Sequence, residues 1–227
     1  MITMAGMIGV GKTTYTHHMA EIFQAEPLFE EVSENPILDA YYSEPTKYAF
    51  SLQIYFLNQR VKSIKRGMKF DRAILDRSIY EDALFTQVNN INGNISDVEW
   101  QLYQDLLANM MDDVRIISES TNQSPELLVY LHAPFDLVLE KIKRRGRPYE
   151  QVEGRPDLLA YYKQLHTLYD EWYANYDHSA KMAIDVSKFD ILTNKDQEIV
   201  AKKFKISGQH SKRINQYNIR CYLILIS

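Results

Sequence analysis

The chain has 227 residues, 45% of them hydrophobic and 25% charged, with a formal net charge of −4; that balance excludes a fibrous or disordered chain and fits one globular domain able to bury a sizeable core. Acidic overall charge argues against general nucleic-acid binding, which needs a basic surface to displace counterions, and no stretch reaches the about 18 apolar residues of a membrane span. Cys221 is the single cysteine and cannot close an internal disulfide, and Met1-Ile2-Thr3-Met4 lacks the basic start of a secretory signal, so a reducing cytoplasm is expected, with neither membrane nor nucleic acid as partner.

In chain order, Ile2 to Ala5 reads as a strand, followed by Gly6-Met7-Ile8-Gly9-Val10-Gly11-Lys12-Thr13 and then a helical pattern. The eight residues fit G-x-x-x-x-G-K-[ST] between strand and helix, the setting in which a glycine-rich loop cradles phosphates. Glycines at 6, 9 and 11 permit positive φ and leave N–H groups for phosphate oxygens, and the following helix offers its positive dipole end. Lys12 is expected on the β- and γ-phosphates of ATP, Thr13 on Mg2+, with Thr14 beside them. Leu28 to Val32 is the second strand candidate, ending on Glu30 and Glu31. In this kind of fold the C-terminal ends of the strands face the nucleotide, so a carboxylate there can reach an acceptor hydroxyl.

From Lys47 to Arg66, Phe50, Ile54, Leu57, Val61 and Ile64 repeat at helical steps, a stripe for a core or a partner. Ala73 to Asp76 is the third strand, followed by Arg77 and Ser78. Asp76 can hold magnesium or accept a proton, and Arg77 can neutralise charge on a moving phosphoryl group. Asn89 to Asn94 reads as a loop, and Ser96 with Glu99 as a capping box opening the next helix. Glu126 to His132 is a strand, Phe135 to Arg144 a helix, and the run Lys141, Lys143, Arg144, Arg145, Arg147 before Pro148-Tyr149-Glu150 has the composition of a lid closing over phosphates. A helix from Pro156 to Tyr176, a strand from Met182 to Val186 and a helix from Asp196 to Phe204 complete the pattern. Strands alternating with helices predict an α/β fold of P-loop NTPase type, a five-stranded parallel sheet flanked by helices with a lid segment.

Charge is unevenly placed along this pattern. Residues 202–227 hold six basic residues and no acid, and the remainder, with 20 basic and 30 acidic residues, carries −10. A catalytic domain over 1–205 and a basic tail over 206–227 are therefore expected.

A regulatory GTPase needs D-x-x-G and N-K-x-D elements. No glycine here has an aspartate three residues before it, and Asn194-Lys195-Asp196-Gln197 ends in glutamine where a carboxylate must pair with guanine. A compact phosphotransferase fits better.

The motifs in this order resemble the deoxynucleoside kinase family, most closely its short bacterial deoxyadenosine/deoxyguanosine kinases, over about residues 1–190. After the phosphate loop come Glu30-Glu31-Val32-Ser33-Glu34-Asn35-Pro36, similar to the family's E-P-V segment with Glu31 in place of the proline, and Asp76-Arg77-Ser78, similar to its (E/D)-R-S segment. Arg145-Gly146-Arg147 with Glu150 resembles its lid, and Asp185 to Asp190 approximates its adenine-holding segment.

The resemblance implies an ATP- and Mg2+-dependent kinase acting on the 5′-hydroxyl of a purine deoxynucleoside in nucleotide salvage, as a homodimer. It makes Glu30 the base, shared in part with Asp76, and Arg77 its holder, with Asp76 and Thr13 at the metal. It puts Tyr42 and Glu150 on the sugar 3′-hydroxyl, Gln53, Arg60 and Asp82 on the edge of the nucleobase, and Phe85 beside it. Lys141, Arg145 and Arg147 meet the donor phosphates. Independently of the family, Gln53 and Arg60 are seven residues apart and share one helix face. A thymidylate-type kinase, whose acceptor is already a phosphate, is disfavoured by Glu30 and Glu150. A non-catalytic nucleotide-binding module is disfavoured by the intact Lys12, Thr13, Glu30, Asp76 and Arg77.

Overall fold

Ile2–Ala5, the apolar run that opens the chain, is β1, the central strand of a five-stranded parallel sheet in the order β2-β3-β1-β4-β5. The computed structural model describes residues 1–30, 35–121 and 127–208. The strands are β1, β2 (Glu26–Leu28), β3 (Ala73–Leu75), β4 (Leu127–His132) and β5 (Ala180–Asp185). The helices are α1 (Lys12–Phe23), α2 (Leu38–Ser43), α3 (Pro45–Gly67), α4 (Asp82–Ile91), α5 (Asp97–Thr121), α6 (Phe135–Arg145), α7 (Pro156–Asn175) and α8 (Asn194–Gly208). A single 3₁₀ turn, Pro148–Glu150, follows α6.

Alternate residues of the strands feed apolar layers on the two faces of the sheet. Ile2, Met4, Ile74, Leu127 and Val129 join one buried cluster with side chains of α1, α4, α7 and α8. Ala73 and Leu75 join another with Leu57, Val61 and Ile64 of α3 and Tyr103 of α5. The stripe read on α3 is therefore spent inside this chain: Leu57, Val61 and Ile64 are buried, and Phe50 and Ile54 are partly buried against the core.

From β1 the chain winds to one side of the sheet for β2 and β3, then crosses β1 to lay down β4 and β5. The C-terminal end of β1 thus lies where the winding reverses, the place at which open α/β sheets bind their ligands.

The elements differ from expectation in several places, and α2 and most of α4 were not expected at all. β2 begins at Glu26 and includes Pro27, tolerable because β2 is an edge strand and its proline N forfeits no ladder bond; residues 31–34 of the expected strand lie outside the described residues. β5 starts two residues earlier, with Ala180 and Lys181 paired to Leu127 and Leu128. The expected loop at Asn89 to Asn94 is helical as far as Ile91. α8 runs to Gly208, across the boundary expected at 205, while Glu126 and residues 209–227 lie outside the described residues. The capping box forms in both directions: Glu99 Oε2 accepts the Ser96 N–H at 2.8 Å and Ser96 Oγ accepts the Glu99 N–H at 3.3 Å. No helix among the described residues is long and apolar enough to cross a membrane.

Candidate functional site

A cavity of about 520 Å³ opens above the C-terminal end of β1. Gly9, Gly11, Lys12, Thr13 and Thr14 line its floor, Glu30, Asp76 and Arg77 its centre, Tyr42, Gln53, Arg60, Phe85 and Glu150 one end, and Lys141, Arg145 and Arg147 the lid. Two residues assigned from the sequence do not line it, Gly6 and Asp82.

Gly6 lies beneath the floor. Its φ is 142°, and a Cβ there would stand 2.4 Å from the backbone oxygen of Leu131, so only glycine fits so close to β4. Its N–H, expected to face phosphate, donates instead to Glu81 Oε2 at 2.8 Å. Gly9 at φ 82° would likewise press a Cβ to 2.5 Å from Ile142 of α6. α1 starts after Gly11 with no side-chain cap and no acid in its first turn. The free first-turn N–H groups and the helix dipole make an anion site. Lys12 Nζ donates to the loop's own carbonyls, Gly6 O at 2.6 Å and Met7 O at 3.1 Å. Burial, and then Arg77, lowers the Lys12 ammonium from its usual range; phosphate oxygens would restore its charge.

Thr13 Oγ1 donates to Asp76 Oδ2 at 2.6 Å, while Asp76 Oδ1 is buried without a hydrogen-bond partner. Burial raises the Asp76 carboxyl, partly offset by Lys12 and Thr13. Among the described residues no cluster of three or more His, Cys, Asp or Glu forms a cation cage. A hydroxyl beside a carboxylate with a spare buried oxygen fits Mg2+, which binds through one or two carboxylates, substrate phosphates and water.

At the centre two arginines share one carboxylate. Arg60 Nη2 is 2.8 Å from Glu30 Oε1, and Arg77 Nε is 3.1 Å from Glu30 Oε2. Burial alone would push the Glu30 carboxyl up, but Arg77, Arg60 and Lys12 outweigh it and bring it to about 2. Arg77 sits at φ 153°, which residues other than glycine rarely adopt, and its Nη1 also reaches the Tyr169 hydroxyl at 3.1 Å.

Asp82 is fully buried behind Arg60. Its Oδ1 lies 2.8 Å from Arg60 Nε, a close ionic contact in which the N–H does not point at the oxygen, and its Oδ2 accepts the Tyr103 hydroxyl at 2.8 Å. It meets the cavity through Arg60. Gln53 and Arg60 do share one face of α3, and Phe56 between them lines the same wall, with the Arg60 guanidinium 5.1 Å from its ring centre. Phe85 lies under Arg77 at 4.8 Å. Phe56 was legible from spacing, three residues after Gln53 and four before Arg60.

The lid is already in contact with the pocket. Arg145 Nη2 bonds Glu150 Oε2, Arg147 Nη1 approaches Glu150 Oε1 at 3.5 Å, and Lys141 Nζ donates to Val10 O at 3.3 Å. Tyr149, unassigned from sequence, stacks on Tyr42 with ring centroids 5.0 Å apart. Phe189, Asp190, Ile191 and Leu192, after β5, also line the cavity. Glu31 lies outside the described residues.

Residues 2–206 match the protein family described as deoxynucleoside kinase. A deoxyguanosine kinase of Lactobacillus acidophilus (strain ATCC 700396 / NCK56 / N2 / NCFM) is 43% identical over 201 residues, spanning 88% of this chain and 87% of the relative. A deoxyadenosine kinase of the same organism is 39% identical over 194 residues, spanning 86% and 89%. A solved deoxyadenosine kinase from M. mycoides with bound dCTP matches with a TM-score of 0.72 at 27% identity, covering 89% of this chain and 97% of that one.

Proposed function

The chain belongs to the deoxynucleoside kinase family, and from that premise we propose that it transfers the γ-phosphate of ATP to the 5′-hydroxyl of a purine deoxynucleoside. The purine preference is supported by the relatives named deoxyguanosine and deoxyadenosine kinase. The observation that carries the reading is Glu30, held between Arg60 and Arg77 and lining the same cavity as Lys12, Thr13 and Asp76.

The nucleoside lies with its base between Phe56, Phe85 and the polar edge of Gln53 and Arg60, and its 3′-hydroxyl between Tyr42 and Glu150. That places the 5′-hydroxyl at Glu30. Glu30 accepts the hydroxyl proton as the oxygen bonds to the γ-phosphorus, the bond from that phosphorus to the β–γ bridging oxygen breaks to release ADP, and Arg77 holds the carboxylate while neutralising charge on the transferring group. Asp76, next to the same phosphoryl group, is the second carboxylate in reach of that proton. Lys12, the α1 amides and the lid cations Lys141, Arg145 and Arg147 draw the donor phosphates into line. Little covalent work falls to the protein in such a transfer, so positioning and charge neutralisation supply most of the acceleration. Thr13 and Asp76 would hold Mg2+, which when bound adds positive charge at the donor phosphates. Homodimer assembly would have to use a surface other than the α3 stripe; Val98, Leu102 and Ile116 are exposed apolar residues of α5. A cytoplasmic location fits the lone cysteine.

Purified protein incubated with ATP, Mg2+ and each deoxynucleoside or deoxynucleoside monophosphate in turn tests this. Deoxyadenosine or deoxyguanosine should be phosphorylated fastest. Phosphorylation of monophosphates alone would refute it, and Glu30 and Glu150 at the acceptor end speak against that outcome.

A further inference from the structure

Glu81 is wholly buried at the N-terminus of α4, and no step of the transfer uses it. Helix capping does not account for it, because its side chain makes no cap hydrogen bond to α4. Its Oε2 accepts the Gly6 N–H at 2.8 Å, and its Oε1 accepts the Ser78 N–H at 3.3 Å and Arg77 Nη1 at 3.4 Å. Gly6 follows β1 and Ser78 follows β3, two strands paired side by side. One carboxylate therefore bridges the strand ends that carry the phosphate loop and the arginine on Glu30. A buried carboxylate is costly unless every oxygen is engaged, and this one is engaged at both.

The two ends of the bridge are unequal. Gly6 is pinned on its far side by the backbone oxygen of Leu131, against which it has no room for even a Cβ. Arg77 has an uncommon backbone angle and a long side chain that needs anchoring. We propose that Glu81 is a positioning residue that holds Arg77 on Glu30 by reference to the phosphate loop, so that acceptor carboxylate and donor phosphates are registered to one another. The inference rests on the reading that Arg77 and Glu30 act on the acceptor hydroxyl.

Glu81→Gln keeps the size of the side chain and removes its charge. Because about 1 Å of misplacement can cost 10²-fold, kcat should fall about 10²-fold, while KM for ATP and for the deoxynucleoside stays within about threefold. In an Arg77→Met background the same substitution should change kcat by no more than about twofold, since a residue acting only through Arg77 has nothing left to position. A residue serving only packing would instead lower kcat by the same factor in both backgrounds, and that would overturn the proposal. So would kcat of Glu81→Gln within about threefold of the unaltered protein, or a rise in KM matching the fall in kcat. Should Glu81→Gln not fold by circular dichroism, Glu81→Asp, which keeps the charge and withdraws it by one methylene, is read by the same criteria. Unaltered protein that phosphorylates no deoxynucleoside would refute the proposed function; an active unaltered protein with an indifferent Glu81 refutes only this inference.

Discussion

Arg60 and Glu30 are joined by a 2.8 Å contact, although Arg60 comes from the middle of α3 and Glu30 from the chain just after β2. The arginine assigned to the nucleobase thus also touches the carboxylate assigned to the 5′-hydroxyl. Hydrogen bonds to charged groups contribute about 1.5–3 kcal/mol, so Arg60→Gln should raise KM for the preferred deoxynucleoside by about 10- to 100-fold. It should also flatten discrimination among the four deoxynucleosides. Comparing kcat/KM for all four checks this, and an unchanged ranking would remove Arg60 from base reading.

The pairing of Glu30 with Arg77, and then with Arg60, has a pH signature. Glu30 is held at about 2 in the folded chain against an ordinary value of 4.5, so it binds fewer protons folded than unfolded near pH 3. Its contribution to stability is present above pH 4.5 and is lost as pH falls toward 2. The stability gap between unaltered protein and Glu30→Gln, measured by urea unfolding, should be constant above that range and close below it. In activity assays near neutral pH, Glu30→Gln should lower kcat by about 10²-fold or more, with ATP binding retained.

Asp76→Asn keeps the acceptor for Thr13 but replaces the charged carboxylate with a neutral amide. The Mg2+ concentration for half-maximal rate should rise at least about tenfold, whereas Thr13→Ser should stay near the original value. Mg2+ titrations of both variants would show it, and an unshifted Asp76→Asn curve would move the ion elsewhere.

Much of this arrangement was legible in the sequence because it depends on local chemistry. The phosphate loop and Asp76-Arg77 follow strands whose apolar runs are unambiguous, and the capping box fixed the start of α5, whereas β2, Glu26–Leu28, has no apolar run of its own and was expected to begin only at Leu28. α4 was less legible because Asn89, Asn90 and Gly93 read as turn residues. Asn89 is instead buried, donating to Phe85 O at 2.9 Å and accepting from the Tyr41 hydroxyl at 3.0 Å. Polar residues thus close the helix through tertiary partners that periodicity cannot register. Asp82 was matched to base reading, but that it sits behind Arg60 and off the cavity wall depends on the packing of α4 on α3. Glu81 left one signal, an acid four residues after Arg77, and its bond to Gly6 spans 75 positions.

Tyr149 offers a test of the lid. Its stack on Tyr42 ties the 3₁₀ turn after α6 to α2. Aromatic pairs contribute about 0.5–1.5 kcal/mol, so Tyr149→Ala should raise KM for the deoxynucleoside by about 2- to 10-fold, and Tyr149→Phe should leave it unchanged. Equal effects of the two variants would assign the role to the hydroxyl.

Chain shortened after Gly208, where α8 ends, should keep its kcat. α8 itself has to stay, since Phe204 is buried with its ring 5.7 Å from that of Phe23. Loss of activity in a folded protein of residues 1–208 would bring the basic tail into the working enzyme.

The winding of the sheet from β1 first to one side and then to the other has an evolutionary consequence. Residues proposed for the nucleoside, from Glu30 through Tyr42, Gln53 and Arg60 to Phe85, fall between β2 and the end of α4, with Glu150 alone joining them from the lid and with Asp76 and Arg77, proposed for the metal and the transferring group, set among them. Those proposed for ATP flank this segment, on the loop after β1 and around α6 and β5. Acceptor preference can therefore be inherited or exchanged through one segment of the chain, provided that Asp76 and Arg77, which that segment also carries, are kept.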